Sequence, residues 1–128
     1  MNSILITNNP MVAEKYKEKM EIIFLKDNSY LDVLSDVRNR IHEGHEILTH
    51  PLSGSVKPNE TPYKSVLISK NKGKLDMKSL QIIEGSIDVT KKFLNIKKSP
   101  EWTKGILEDF QLIDYSLIKG AVESMIQF

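Results

Sequence analysis

Four short apolar runs punctuate the first half of the chain, and segments of helical spacing separate most of them. The runs are Ser3–Thr7, Glu21–Leu25, Glu46–Thr49 and Ser65–Ser69. Each is short and rich in isoleucine, leucine or valine, which marks a buried strand rather than a helix. Asn9-Pro10 follows the first run. A cap residue there precedes the residue best suited to the first helical position, where an N–H would be unpaired anyway. That helix is expected from about Pro10 to Lys19, with Val12, Tyr16 and Met20 on one face. Asp27, Asn28 and Ser29 offer the next cap. Leu31, Leu34, Val37 and Ile41 then recur at three- and four-residue spacing, with Ser35 and Asp36 on the wet side and Gly44 as the stop. Ser79 to Leu94 predicts a third helix, with Leu80, Ile83, Ile87 and Leu94 on one face and Gly85 as a soft spot. Ser99-Pro100 repeats the cap–proline signature and predicts a long last helix.

The order β-α-β-α-β-loop-β-α-α predicts an α/β fold. The expected form is a single domain over residues 1–128, in two or three layers. A mostly parallel four-stranded sheet with one antiparallel strand is flanked by about four helices. The fourth strand is the antiparallel one. No helix links it to the third, and parallel neighbours need a crossover. In the last helix, Ile106, Phe110, Ile113, Leu117 and Ala121 form a stripe, with Leu107, Ile118, Val122 and Met125 beside it. Such a wide apolar face reads as burial on two sides of the domain. The alternative gives it a contact with a second copy of the chain, a homodimer.

Charge and composition exclude several classes of function. The net charge is +1 and the charged fraction 27%, so there is no basic excess for nucleic acid or an acidic membrane surface. There is no cysteine, which removes disulfides, thiolate nucleophiles and thiolate-held metals. No apolar stretch approaches the roughly 20 residues that cross a bilayer, and the N-terminus lacks a basic region before its apolar run. A soluble, cytoplasmic protein is expected.

The stretch His50-Pro51-Leu52-Ser53-Gly54-Ser55-Val56-Lys57-Pro58-Asn59-Glu60-Thr61-Pro62-Tyr63 carries three of the five prolines and few core-forming residues. Irregular loops of this length in compact domains tend to be functional or disordered. Ligands in open α/β sheets bind at the carboxyl ends of the strands. That edge gathers Asn8 and Asn9, the segment Lys26 to Ser29, and this loop. Ser53, Gly54 and Ser55 can turn backbone N–H groups toward an anion, with Lys57 as charge and helix N-termini nearby. The alternative is a plain turn with a solvated lysine. No P-loop or dinucleotide-binding glycine pattern is present. The ligand-binding candidates are Asn8, Asn9, His50, Ser53, Gly54, Ser55, Lys57, Asn59 and Tyr63. His50 is the only candidate acid/base.

His42, His45 and His50, with Glu43 or Glu46, make a metal site conceivable. Gly44 interrupts the pair, and His42 suits a helix C-terminus by dipole alone. No metal and no cofactor is therefore expected. Glu108, Asp109 and Asp114 offer an acidic cluster, but Asp109 and Asp114 are five apart and do not share a face well, so the patch reads as a solvated face.

The run "GHEILTHPLSGSVKPNETPYKSVLIS", the early "ITNNP" and the late "PEW…LEDFQLIDYSLI" resemble the GrdX family, from Ile4 to about Ile118. The resemblance implies an association with the glycine reductase system of amino-acid-fermenting anaerobes. Components of glycine, sarcosine or betaine reductase, which carry selenocysteine or reactive thiols, would then be partners. It implies a setting and no reaction. A chain without cysteine cannot act as a covalent thiol relay. Two functions fit. One is an accessory protein whose central loop binds a small anionic metabolite or a partner. The other is an enzyme on a small acyl- or phosphate-bearing substrate, with His50 as acid/base, Ser53 and Ser55 as oxyanion donors and Lys57 as anchor.

Overall fold

Ser3–Thr7 is buried along its whole length, as a strand is when sheet neighbours flank it and helices cover both faces. The computed structural model describes residues 2–54, 56–97 and 100–126. Along them run β1 (Ser3–Thr7), α1 (Pro10–Tyr16), β2 (Glu21–Phe24), α2 (Tyr30–His42), β3 (Ser65–Ser69), α3 (Met77–Ile96) and α4 (Lys104–Ile126).

The sheet has three strands in the order β2-β1-β3. β1 pairs parallel with β2, placing Leu5 opposite Ile22, and antiparallel with β3, placing Leu5 opposite Leu67. The expected third strand, Glu46–Thr49, reduces to one bridge between Ile47 and Ile68. Its backbone runs beside β3, with Leu48 N–H donating to Leu67 O at 2.8 Å and Ser69 N–H to Glu46 O at 2.8 Å. Side chains interrupt the ladder. Ile47 N–H donates to Ser79 Oγ on α3, and Leu67 N–H donates to Thr49 Oγ1. The mostly parallel four-stranded sheet is thus corrected to a three-stranded mixed one, while the antiparallel placement of Ser65–Ser69 stands.

Alternation along the strands builds two cores. Ile4, Ile6, Val66 and Ile68 face α2 and α3, meeting Val33, Leu34, Val37, Ile41, Ile83 and Ile87. Leu5 and Leu67 face α1 and α4, meeting Val12, Tyr16, Ile118 and Val122. The result is three layers, with the sheet in the middle.

The caps explain where the helices begin. Asn9 caps α1, with Pro10 in its first turn. Ser29 and Asp32 form a reciprocal capping box on α2. Asp76 caps α3, so that helix starts before Ser79, whose N–H and hydroxyl both donate to the Asp76 carboxylate. α1 ends at Tyr16, short of Lys19. α4 starts at Lys104, so Pro100 does not open it, and Ser99 lies outside the described residues.

The last helix also turns differently from its expected stripe. Ile118 and Val122 are buried, whereas Ile106, Ile113 and Leu117 are 44%, 43% and 39% exposed. The flanking row packs on the sheet, because Asp114, Ile118 and Val122 line up at four-residue spacing against β1 and β3.

Candidate functional site

The carboxyl end of β1 lies beside the start of β3, since Thr7 pairs with Ser65. Two hydroxyls meet there, Thr7 Oγ1 and Ser65 Oγ, at 2.7 Å. Ser65 Oγ donates to Asp114 Oδ2 at 2.7 Å, and Asn9 Nδ2 donates to the same oxygen at 3.0 Å. Asp114 is only 5% exposed. The solvated acidic face expected around it is corrected: Asp114 points inward while Glu108 and Asp109 stay in water.

Lys64 precedes β3 and is 7% exposed. Its backbone N–H donates to Asn8 Oδ1 at 2.9 Å. Among the described residues its amine makes no hydrogen bond or ion pair, although Asp114 is close enough to act on it electrostatically. Burial pulls the Lys64 amine below the usual lysine range, and the Asp114 charge opposes that pull. Burial pushes the Asp114 carboxyl above the usual range, against hydrogen bonds from Asn9 and Ser65 and the charge of Lys64.

Two adjoining recesses open onto this pair. One is lined by Tyr30, Val56, Thr61, Tyr63 and Ile113, the other by Thr49, His50, Ser65, Ile118 and Ala121. Ser53, Lys64, Asp114 and Leu117 line both. They measure about 10 and 20 Å³, room for roughly one water each. The central loop forms their outer wall. A Cβ built on Gly54 would lie 3.1 Å from the Leu117 methyl carbons, so loop and α4 touch closely there. Any larger guest requires the loop to lift from Leu117. Nearby, Tyr30 is buried, its hydroxyl donates to Pro51 O, and burial with the Asp114 charge holds the phenol far above its usual range.

The expected site residues fall into groups. Asn8 and Asn9 are at this edge, but their amides are spent within the protein. Asn8 Nδ2 donates to Asn28 O and Pro62 O. Asn9 Nδ2 donates to Gln111 O and Asp114 Oδ2, and its Oδ1 accepts from Met11 N–H. Tyr63 is half-buried, with its hydroxyl accepting from Gln111 Nε2 at 3.0 Å. His50 and Ser53 line the recess; His50 Nδ1 accepts from Leu52 N–H, and Ser53 N–H donates to His50 O. Gly54 sits at φ 93°, where glycine is favoured. Ser55 lies outside the described residues.

Lys57 is not in the recess. It is exposed, 6.0 Å over the Phe93 ring on α3. Asn59 is buried and donates to Lys97 O at 3.3 Å. The charged centre of the recess is Lys64 with Asp114, and neither was among the expected site residues. A wider cleft of about 520 Å³ lies on the other side of Tyr63, between Asn8, Phe24, Lys26, Asp27 and Pro62. Its charged side chains are exposed.

Of the histidines, His42 is exposed, and His45 is buried with Nδ1 donating to Ser69 O at 2.7 Å. Among the described residues no group of three or more histidine or acidic side chains is placed to hold a metal ion. None of the described helices is long and apolar enough to cross a membrane.

No curated protein and no solved structure matches the chain. The model of one family, described as GrdX-like protein, matches residues 4–123. That span takes in β1 from Ile4 onward, β2, β3, the central loop, Lys64 and Asp114, and the chain belongs to the GrdX-like family.

Proposed function

We propose that this protein is a cytoplasmic accessory of the glycine, sarcosine or betaine reductase system that binds a small anionic ligand beneath the 50–63 loop. Family membership supports the setting. One observation carries the binding reading: Lys64 is 7% exposed, lines both recesses, and its amine has no hydrogen-bond or ion-pair partner among the described residues. A buried amine without a counter-charge in contact is costly, and an anion drawn onto it offsets that cost. Lys64 therefore takes the anchoring role expected of Lys57.

Calorimetric titration with acetate, glycine and inorganic phosphate tests this. Binding of at least one, lost in Lys64→Met, is expected. Binding that survives Lys64→Met but disappears in Lys57→Ala moves the site to the exposed side of the loop, where Lys57 lies over Phe93. The accessory role has its own test. Tagged protein from cells expressing the reductases should retain a reductase component, and a clean failure removes the assembly reading.

His50 lines one recess together with Lys64 and Asp114, which favours a second reading. In it, the chain acts on a small acyl- or phosphate-bearing substrate, with the unengaged Nε2 of His50 moving the proton. Turnover of acetyl phosphate that persists in His50→Ala would take His50 out of that reaction.

A further inference from the structure

We propose that the recess is built for a small zwitterion, its carboxylate on the Lys64 amine and its positive end on the Asp114 carboxylate. The inference rests on the recess being a binding site and names the class of ligand.

Asp114 Oδ2 accepts from both Asn9 Nδ2 and Ser65 Oγ, and the Ser65 backbone N–H also hydrogen-bonds the carboxylate, which still keeps acceptor capacity at the recess it lines. On the Lys64 amine all three donors are unused among the described residues. The two groups sense each other's charge, but no ion pair joins them. Each therefore bears its own burial cost without the contact that usually offsets it. A simple anion seated on Lys64 would stand beside the Asp114 carboxylate. A simple cation on Asp114 would stand beside the Lys64 amine. Only a molecule carrying both charges satisfies both groups and brings no unmatched charge. The other walls mix apolar side chains such as Val56, Ile113 and Leu117 with polar ones such as Thr49, Ser53 and Thr61, and the small volume limits the guest to a short molecule, seated once the loop lifts from Leu117.

The test uses the full chain and a panel in which the charges are separated. Glycine and β-alanine carry both ends, acetate only the negative one and methylammonium only the positive one. Thermal melts and calorimetry at pH 7 and matched ionic strength should show binding of glycine or β-alanine at least about tenfold tighter than acetate, the gain of roughly one charge-assisted hydrogen bond. Methylammonium should bind more weakly still. Asp114→Asn should bring glycine down to the level of acetate, and Lys64→Met should abolish both. The wild-type comparison stands alone if Asp114→Asn fails to fold. Acetate or phosphate binding as tightly as the zwitterions overturns the inference and leaves a plain anion site. No binding by any probe, phosphate included, overturns the small-ligand reading itself.

Discussion

Asn9 and Asp114 stand 105 positions apart in the chain, and the Asn9 amide donates to Asp114 Oδ2 at 3.0 Å. One side chain thereby does two jobs. Its oxygen caps α1 and its nitrogen fixes α4 over the end of β1. The recess between sheet, loop and α4 owes its floor to this contact.

Asn9→Ala should cost about 2–3 kcal/mol in urea unfolding, combining a lost cap with a lost hydrogen bond to a buried carboxylate. Asn9→Asp is the sharper test. It keeps a cap acceptor but sets a second carboxylate against Asp114. It should be less stable than wild type, and increasingly so as rising pH ionises both acids. Equal stability of Asn9→Asp and wild type at pH 8 would mean that the contact does not hold α4.

Asn8 ties three backbones together: Asn28, Pro62 and Lys64. Asn8→Ala should cost about 2 kcal/mol, since each net bond is worth roughly 1 kcal/mol and water replaces some of them. Its local signature is amide exchange. The Lys64 N–H should lose protection selectively, while the β1–β2 ladder keeps its own. Uniform loss across the sheet would make Asn8 a global rather than a local tie.

The strands and caps were legible because their signals are local. Asn9-Pro10 and Ser29 act within one turn of their own position, and Ser3–Thr7 needs only its own apolar run. Glu46–Thr49 misled because its composition suits a strand while Ser79 and Thr49 side chains take the ladder positions, a fact of tertiary placement. Asp114 misled for a related reason. It sits in an apolar helix row one turn before Ile118, and that spacing was its only signal of burial. The partners that make a buried carboxylate tolerable, Asn9 and Ser65, come from distant segments. Lys64, a lone lysine against an apolar strand, gave as little notice.

Gly44 adopts φ 108°, and a Cβ there would run into the Gly73 carbonyl oxygen. Gly44 O also accepts from Gly73 N–H at 2.9 Å. Gly44→Ala should therefore destabilise by about 1–3 kcal/mol through strain alone, and more if the turn must part. Gly85 is the matched control. It lies exposed within α3 with open space around it, so Gly85→Ala should stabilise by about 0.5–1 kcal/mol. Paired thermal melts should move in opposite directions. A shared direction would remove backbone conformation as the explanation.

The Lys64–Asp114 pair should be visible in the pH dependence of stability. The folded-state pKa of Lys64 lies below 10.5, so between that value and 10.5 the unfolded chain holds more protons than the folded one. Stability should rise with pH across that interval. Asp114 has its folded-state pKa above 3.8, so between 3.8 and that value the folded chain holds more protons, and stability should fall as pH rises. The variants separate the two. Lys64→Met should remove the alkaline rise. It should also carry the acid-side fall to higher pH, because the lysine charge helps keep Asp114 ionised. Asp114→Asn should remove the acid-side fall and depress the Lys64 amine further, moving the start of the alkaline rise to lower pH. Urea denaturation of the three proteins from pH 4 to 10 reads both effects. Parallel curves for wild type and Lys64→Met above neutrality would mean that the amine is solvated in the folded protein, and would take with them its role as the anchor of the recess.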